Sequence, residues 1–341
     1  SIRESGILDR VTNSLNHFGI NFSIFDQVEP EPSLATVDRG LETARTIGCD
    51  MIISLGGGSV LDCGKAMAGL YKYENSIRSV FYGAQIPQSG IPWIAIPTTA
   101  GTGSEMTSNS VLTDTEKNIK KSIRSPLLIA RLVIIDPTYT LTMSPHLTAV
   151  TGIDALIQAI EAYTSPHSNP VTDVLAEEAI GILWRFLPQV VQDGNYLQYR
   201  EYVAKGSMVS AMAFANSSSG AVHGFSHLLG PRFSISHGEA CAILMPHVIR
   251  FNREVFHSKF SRIIERIGLK GIHENDPAEK LASAFENLLD QIHLKKKLRD
   301  FQIQYDELFS VLNIDNIGKN ITENPRPFKK EDMIELLKSA W

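Results

Sequence analysis

The sequence is poor in the features that would tie it to a secreted scaffold, a membrane or a nucleic acid. Its three cysteines (Cys49, Cys63 and Cys241) are an odd number, lie far apart and follow no C-x-x-C spacing. A disulfide framework and a cysteine metal site are therefore both disfavoured, and a reducing cytoplasm is expected. No run of apolar residues is long enough to span a bilayer, so no membrane span is expected. Positive charge is scarce as well: 32 Lys and Arg face 37 Asp and Glu, a net −5, which argues against a nucleic-acid or anionic-membrane surface. Basic residues gather only at Lys117–Arg124 and Lys295–Arg299, runs short enough to be solvated faces or a phosphate contact. Internal repeats and low-complexity segments are absent, and no signal peptide precedes the helical pattern of Ile2–Phe18.

What is present fits an ordinary globular chain, 43% hydrophobic and 20% charged. At 341 residues it exceeds what one hydrophobic core usually supports, so two domains are expected. The first part alternates short apolar runs with helical periodicities. Strands are predicted at Asn21–Asp26, Met51–Leu55, Trp93–Ile96 and Leu132–Ile135, and helices at Ser33–Thr46 and Ser59–Tyr71. Such alternation implies parallel pairing and a doubly wound sheet. From about Ser144 onward only helical periodicities appear: Pro145–Ala162, Pro170–Leu187, Leu197–Ser217, Val222–Leu229, Glu239–Phe251, Pro277–Gln291 and Lys330–Ala340. Pro137 and Pro145 interrupt the pattern, which places an α/β domain at 1–142 and an all-α domain at 143–341.

Two loops carry ligand chemistry. Gly56-Gly57-Gly58-Ser59 lies between a buried strand and a helix, where glycine lets backbone N–H groups approach a pyrophosphate and the helix N-terminus adds a favourable dipole. Ser59 could cap that helix or bond a phosphate oxygen. A tight turn without a ligand reads the same residues equally well, and the G-x-G-x-x-G fingerprint is absent. Pro97-Thr98-Thr99-Ala100-Gly101-Thr102-Gly103-Ser104-Glu105 follows the next strand; it suits a ligand crevice or a capped helix start. Both loops at one sheet edge would suit a dinucleotide.

The segment Val222–His247 holds His223 and His227 at i, i+4 on one helix face, with His237 after Gly230-Pro231. Three such histidines can converge on a metal, although a lone histidine on an apolar helix is more often a hydrogen-bonded core residue. His247 is read as that kind of residue. His17, His146, His167, His257, His273 and His293 lack partner spacing and are read as surface or capping residues. Asp154 stands in Thr151–Tyr163 with Gln158 one turn on; an Asp/His/His set suits Fe(II) or Zn(II), although a mid-helix aspartate can equally face solvent. Glu161 and Glu105 are candidate orienting or structural carboxylates.

GGGSVLDCGKA, PTTAGTGSE, TGIDALIQAIEAY and HGFSHLLGPRFSISHGEACAILMPH together resemble the iron-containing (group III) alcohol dehydrogenases, in order and along the whole chain. The resemblance implies the dehydroquinate-synthase-like architecture: an α/β N-terminal nucleotide-binding domain, an all-α C-terminal metal and substrate domain, and an active site in the cleft between them. It implies an NAD(P)-dependent enzyme acting on a small alcohol or aldehyde. Gly57, Gly58 and Ser59 would contact the pyrophosphate, with Asp62 nearby. Thr98, Thr99, Thr102 and Thr107 would line the nucleotide path, and Lys120 would reach a ribose. Asp154, His223 and His237 would be ligands of Fe(II), or of Zn(II) or Mn(II). His227 would be the catalytic proton relay, and Asn109 would mark the substrate pocket. A homodimer or larger assembly is also implied.

Two departures stand out. Gln158 occupies the place of a family histidine ligand, so it or a water fills the fourth position, and it is associated with relatives that reduce phosphonate aldehydes such as phosphonoacetaldehyde. The resemblance also places the opening of the nucleotide domain, with the residue that separates NAD from NADP, before Ser1. Competing readings are a dehydroquinate-synthase-like lyase, disfavoured by hydroxyl-rich and apolar loops, and a metal-deficient nucleotide-binding protein without catalysis. Arg232 could meet an anionic substrate group or be structural.

Overall fold

Apolar residues at helical spacing explain the first elements. Helix α1 (Ile7–His17) is followed by α2 (Leu34–Ile47), whose Leu34, Val37, Leu41 and Ala44 recur every three or four residues and face one cluster. Ser33 caps α2 by accepting from Thr36 N–H at 3.1 Å. In this computed structural model, which describes residues 2–117, 119–269, 276–312 and 319–341, the chain divides into two units. Unit 1 comprises Ser1–Thr99 and Gly103–Thr142, and unit 2 comprises Ala100–Thr102 and Met143–Trp341.

In unit 1, β1 (Ile52–Gly56) leads into α3 (Gly58–Leu70), then α4 (Ile77–Phe81) and β2 (Trp93–Pro97). After them come β3 (Asn109–Asp114), β4 (Ile119–Arg124) and β5 (Leu132–Val133). The sheet is parallel in the order β1-β2-β5 and pairs Gly56 with Pro97 at its C-terminal edge. Beneath it, α3 is buried from Leu61 to Leu70 and packs with α2. Each fully buried Leu or Phe there contributes about 1.5–3 kcal/mol.

Three expectations change in this unit. Residues 21–26 form no strand: Phe22 and Ile24 are exposed, and only Phe25 packs on the core, so the segment has apolar side chains but no ladder. The run at 132–135 pairs only through Leu132 and Val133. An antiparallel hairpin, β3–β4, forms where the pattern had suggested none, because its alternation of buried and half-exposed residues includes polar Ser110 and Asp114 on the inner face.

The regular elements of unit 2 are all helices among the described residues: α5 (Pro145–Tyr163), α6 (Pro170–Gln192), α7 (Leu197–Ala215), α8 (Ala221–Phe233), α9 (His237–Phe251) and α10 (His257–Arg266). Helices α11 (Pro277–Gln291), α12 (Lys319–Thr322) and α13 (Lys330–Ala340) follow. Ser144 caps α5 ahead of Pro145, and Asn169 forms a capping box with Thr172 ahead of α6. Helix α5 is apolar nearly all round and packs on α6, α7 and α9, the position of a central helix. Contrary to the sequence pattern, α8 runs past Gly230-Pro231 and stops at Ser234, which takes a left-handed conformation (φ 53°). Helix α10, unmarked in the sequence reading, is also present. No described helix is long and apolar enough to cross a membrane.

Candidate active site and cofactor loops

In unit 1 the register of β1 and β2 brings both predicted loops to one edge, with Thr98 N–H donating to Gly56 O at 3.0 Å. Gly57 sits at the N-cap of α3, and a side chain there would meet Thr99 Cγ2 at 3.2 Å, so glycine permits the two loops to touch. Ser59 does not cap α3. Its Oγ accepts instead from Glu31 N–H at 3.2 Å, and Glu31 holds a left-handed φ of 57°. The Glu31 carboxylate meets Lys120 Nζ on β4 at 2.5 Å. Glu31, unmarked by any motif, thus joins two side chains expected to contact the cofactor.

Asp62 and Thr107 turn inward rather than toward the loop surface. Asp62 accepts from Ser104 Oγ and, at 3.1 Å, from Val111 N–H. Lys65, one turn on in α3, is fully buried and donates to Ser104 O at 2.7 Å, Thr107 O at 3.1 Å and Asn109 O at 2.6 Å. Its Nζ lies 3.7 Å from Asp62. Burial drives both groups toward neutrality, lowering Lys65 to about 8 and raising Asp62, against their mutual attraction. The cluster ties α3 to the stretch from Ser104 to Val111, including Asn109. Lys65 was missed in the sequence because a single lysine on an apolar helix reads as a snorkelling surface residue. Glu105 is buried with its carboxyl raised by desolvation.

In unit 2, three helices converge. Asp154 and Gln158 project one turn apart from α5, His223 comes from α8, and His237 opens α9. Asp154, Gln158 and His223 are 4–5% exposed. Asp154 Oδ1 lies 3.4 Å from His223 Nε2 and 3.6 Å from His237 Nε2. The far side of each imidazole is anchored. Glu161 sits 2.5 Å from His223 Nδ1 and also accepts from Gly220 and Val222 N–H, capping α8, while Ser226 Oγ lies 3.2 Å from His237 Nδ1. Glu161 is therefore both orienting and structural. Gly238 lets α9 begin against α5, since a side chain there would meet Val150 O at 2.3 Å.

Burial works against charge at His223, yet Glu161 and Asp154 raise its ring to about 10. Burial likewise opposes the Asp154 anion, and His237, His223 and Gln158 outweigh it, holding Asp154 below the usual carboxylate range. Among the described residues four buried side-chain atoms lack a hydrogen-bond partner, and three of them are here: Asp154 Oδ1, Gln158 Oε1 and His223 Nε2. Unpaired buried polar atoms each cost about 1–3 kcal/mol, so their convergence fits a cation that all could share. Asp154, His223 and His237 form a group able to hold a metal ion, and the same group contains Cys241. The sequence reading discounted Cys241 as a lone thiol, although its i+4 spacing from His237 was visible.

His227 is exposed and stacks on His237 with ring centroids 5.2 Å apart. Gln158 Nε2 donates to Asp154 Oδ2 at 3.1 Å. Arg232 is exposed and donates to Ser310. His247 is held low, at about 4, by burial and by Lys297 and Arg250. His146 and His167 face Glu239 and Glu323 at 3.6 Å. His273 lies outside the described residues.

Known proteins match along the whole length. A model of the iron-containing alcohol dehydrogenases matches residues 1–137, and one of the C-terminal domain of the Fe-containing alcohol dehydrogenase family matches 148–341. The 1,3-propanediol dehydrogenase of Klebsiella pneumoniae is 36% identical over 340 residues, 99% of this chain and 88% of its own. A crystal structure of 1,3-propanediol oxidoreductase superposes with a TM-score of 0.95 at 36% identity, covering 100% of this chain and 90% of that one. Sulfoacetaldehyde reductase from Bifidobacterium kashiwanohense, solved with NAD+, gives 0.92 at 29% identity, covering 99% and 88%. The chain belongs to the iron-containing alcohol dehydrogenase family, oxidoreductases that act on CH–OH groups.

Proposed function

We propose that the chain is a metal- and NAD(P)-dependent alcohol dehydrogenase or aldehyde reductase, with Asp154, His223 and His237 as its metal ligands. The observation that carries this is that the unpaired buried Asp154 Oδ1 and His223 Nε2 lie beside His237 in one group able to hold an ion. A bound Fe(II), Zn(II) or Mn(II) would supply Lewis-acid stabilisation of charge on the substrate oxygen, and the nicotinamide would give or take hydride. Glu161 and Ser226, holding the Nδ1 edges, turn both Nε2 atoms toward Asp154. His227, exposed beside His237, exchanges the hydroxyl proton with solvent. Gly57, Gly58 and Ser59 hold the pyrophosphate at the N-terminus of α3, with Thr98, Thr99 and Thr102 along the nucleotide. Lys120 meets a ribose while keeping or exchanging Glu31. Asp62 and Thr107 act through the Lys65 cluster, and Asn109, which it anchors, lines the substrate. Cofactor binding is assigned to residues 1–142 and metal chemistry to 143–341, in a cytoplasmic homodimer or larger assembly.

A second reading narrows the substrate to an aldehyde bearing a phosphonate or sulfonate. Gln158 in place of a histidine and the likeness to a sulfoacetaldehyde reductase favour it. The test for both is a screen of small alcohols and aldehydes, anionic ones included, with NADH and NADPH and with added Fe(II), Zn(II) or Mn(II). Metal-dependent turnover is expected. Nucleotide binding without turnover under every metal would instead identify a non-catalytic relative.

A further inference from the structure

Cys241 lies four residues after His237 on α9, as Gln158 lies four after Asp154 on α5, so two helices each aim an i, i+4 pair at one centre. Its thiol is fully buried, and Sγ is 3.8 Å from His237 Nε2. One ligand atom each from Asp154, His223, His237 and Cys241 can be drawn within 4.8 Å of all the others. The spacing is informative. Bond lengths of about 2.0–2.1 Å to nitrogen or oxygen and about 2.3 Å to sulfur give tetrahedral edges of roughly 3.4 Å between N and O and roughly 3.6 Å between S and N. The observed edges are 3.4 and 3.6 Å for Asp154 to the two histidines and 3.8 Å for Cys241 to His237. Three edges near those lengths therefore join the four side chains through Asp154 Oδ1 and His237 Nε2, and two of the corners, Asp154 Oδ1 and His223 Nε2, are unpaired.

We propose that the Cys241 thiolate is the fourth protein ligand of the metal, in an Asp/His/His/Cys site. Gln158, whose amide donates to Asp154 Oδ2, is then a positioning residue that orients the carboxylate. Forming the metal–sulfur bond breaks the S–H bond, and the proton leaves to solvent. A thiolate makes the centre softer and shifts its preference toward Zn(II) over Mn(II). This rests on the metal reading above, and the experiment separates the two.

The purified protein is loaded with Co(II), and both bound cobalt and the near-ultraviolet absorption are measured. A sulfur-to-cobalt charge-transfer band with one cobalt per site is expected, lost in Cys241→Ala and Cys241→Ser but kept in Gln158→Ala. Stoichiometric cobalt without the band in the wild-type chain, or a band that survives Cys241→Ala, overturns the thiolate ligand and leaves the metal reading standing. No bound Co(II) or Zn(II) at all overturns both. Because the wild-type spectrum alone can refute the proposal, its fate does not depend on either variant folding.

Discussion

Two buried polar clusters, one in each unit, differ in a single respect. Around Lys65 and Asp62, backbone carbonyls, a backbone N–H and a hydroxyl meet every charge, and none of the atoms is left unpaired. Around Asp154 and His223, the outer edges are equally well anchored, yet the atoms facing the centre lack partners. A satisfied buried network is structural and rigid, whereas one that is unsatisfied only toward its middle is shaped for something not supplied by the chain. The comparison distinguishes a lysine that holds a loop from a histidine, His223, proposed to hold a metal, although both are buried charge-bearing residues on helices.

The sharpest way to break the comparison is to swap the consequences of mutation. His223→Ala or His237→Ala should abolish turnover and lower bound metal. Loss of the half-buried His237 should leave the fold of the metal-free protein largely intact, whereas His223→Ala also strands the buried Glu161 carboxylate and lowers stability. Full activity in either variant after chelation would sink the assignment. Lys65→Met should do the reverse. It strands the buried Asp62 carboxylate and three carbonyls, at about 3–5 kcal/mol by denaturant unfolding, with bound metal per folded molecule unchanged. A fall in metal content equal to that of His223→Ala would merge the two clusters into one function.

Smaller effects refine the metal side. Turnover in His227→Ala should drop about 10²–10⁴-fold with metal retained, as for a lost proton relay; metal loss equal to that of His223→Ala would make it a ligand. Glu161→Gln should weaken metal binding about 10–100-fold in a chelator competition, and an unchanged affinity would confine Glu161 to capping α8. The smallest effect concerns acid stability. His247 is depressed to about 4 when folded against 6.5 unfolded. The unfolded chain therefore binds the extra proton between those values, and this contribution is whole above about pH 6.5 and lost as pH falls to about 4. His247→Leu should flatten that part of the stability–pH curve, and an unaltered slope would place the acid sensitivity elsewhere.

Legibility followed the kind of signal each residue leaves. Helices α5, α6, α9, α11 and α13 were readable because caps and apolar spacing are local, and Ser144-Pro145 and Asn169-Pro170 mark their starts. The hairpin β3–β4 was not, since its inner face carries Ser110 and Asp114, whose burial depends on partners such as Asp62 O for the serine and Arg78 and Tyr82 for the aspartate. Residues 21–26 have strand composition, but composition cannot provide a neighbouring strand. In the Asp/His cluster, the histidine spacing and Asp154 were visible and Glu161 stood as an orienting or structural candidate. The partner of Glu161 and the part of Ser226 were not legible, because an orienting hydrogen bond has no sequence period.

By itself, then, the sequence determined the two-part α/β and all-α plan and the glycine and threonine loops, which rest on short-range periodicity and residue chemistry, and it marked Asp154 and the histidines as candidates through their family resemblance. Only the tertiary structure decided that Lys65 is bound to carbonyls up to 44 residues away, that Glu31 stands between Ser59 and Lys120, and that Cys241 belongs with Asp154, His223 and His237. Those facts depend on which helix faces and loops are brought together by packing, and a buried atom's chemistry is set by the partners that packing supplies or withholds.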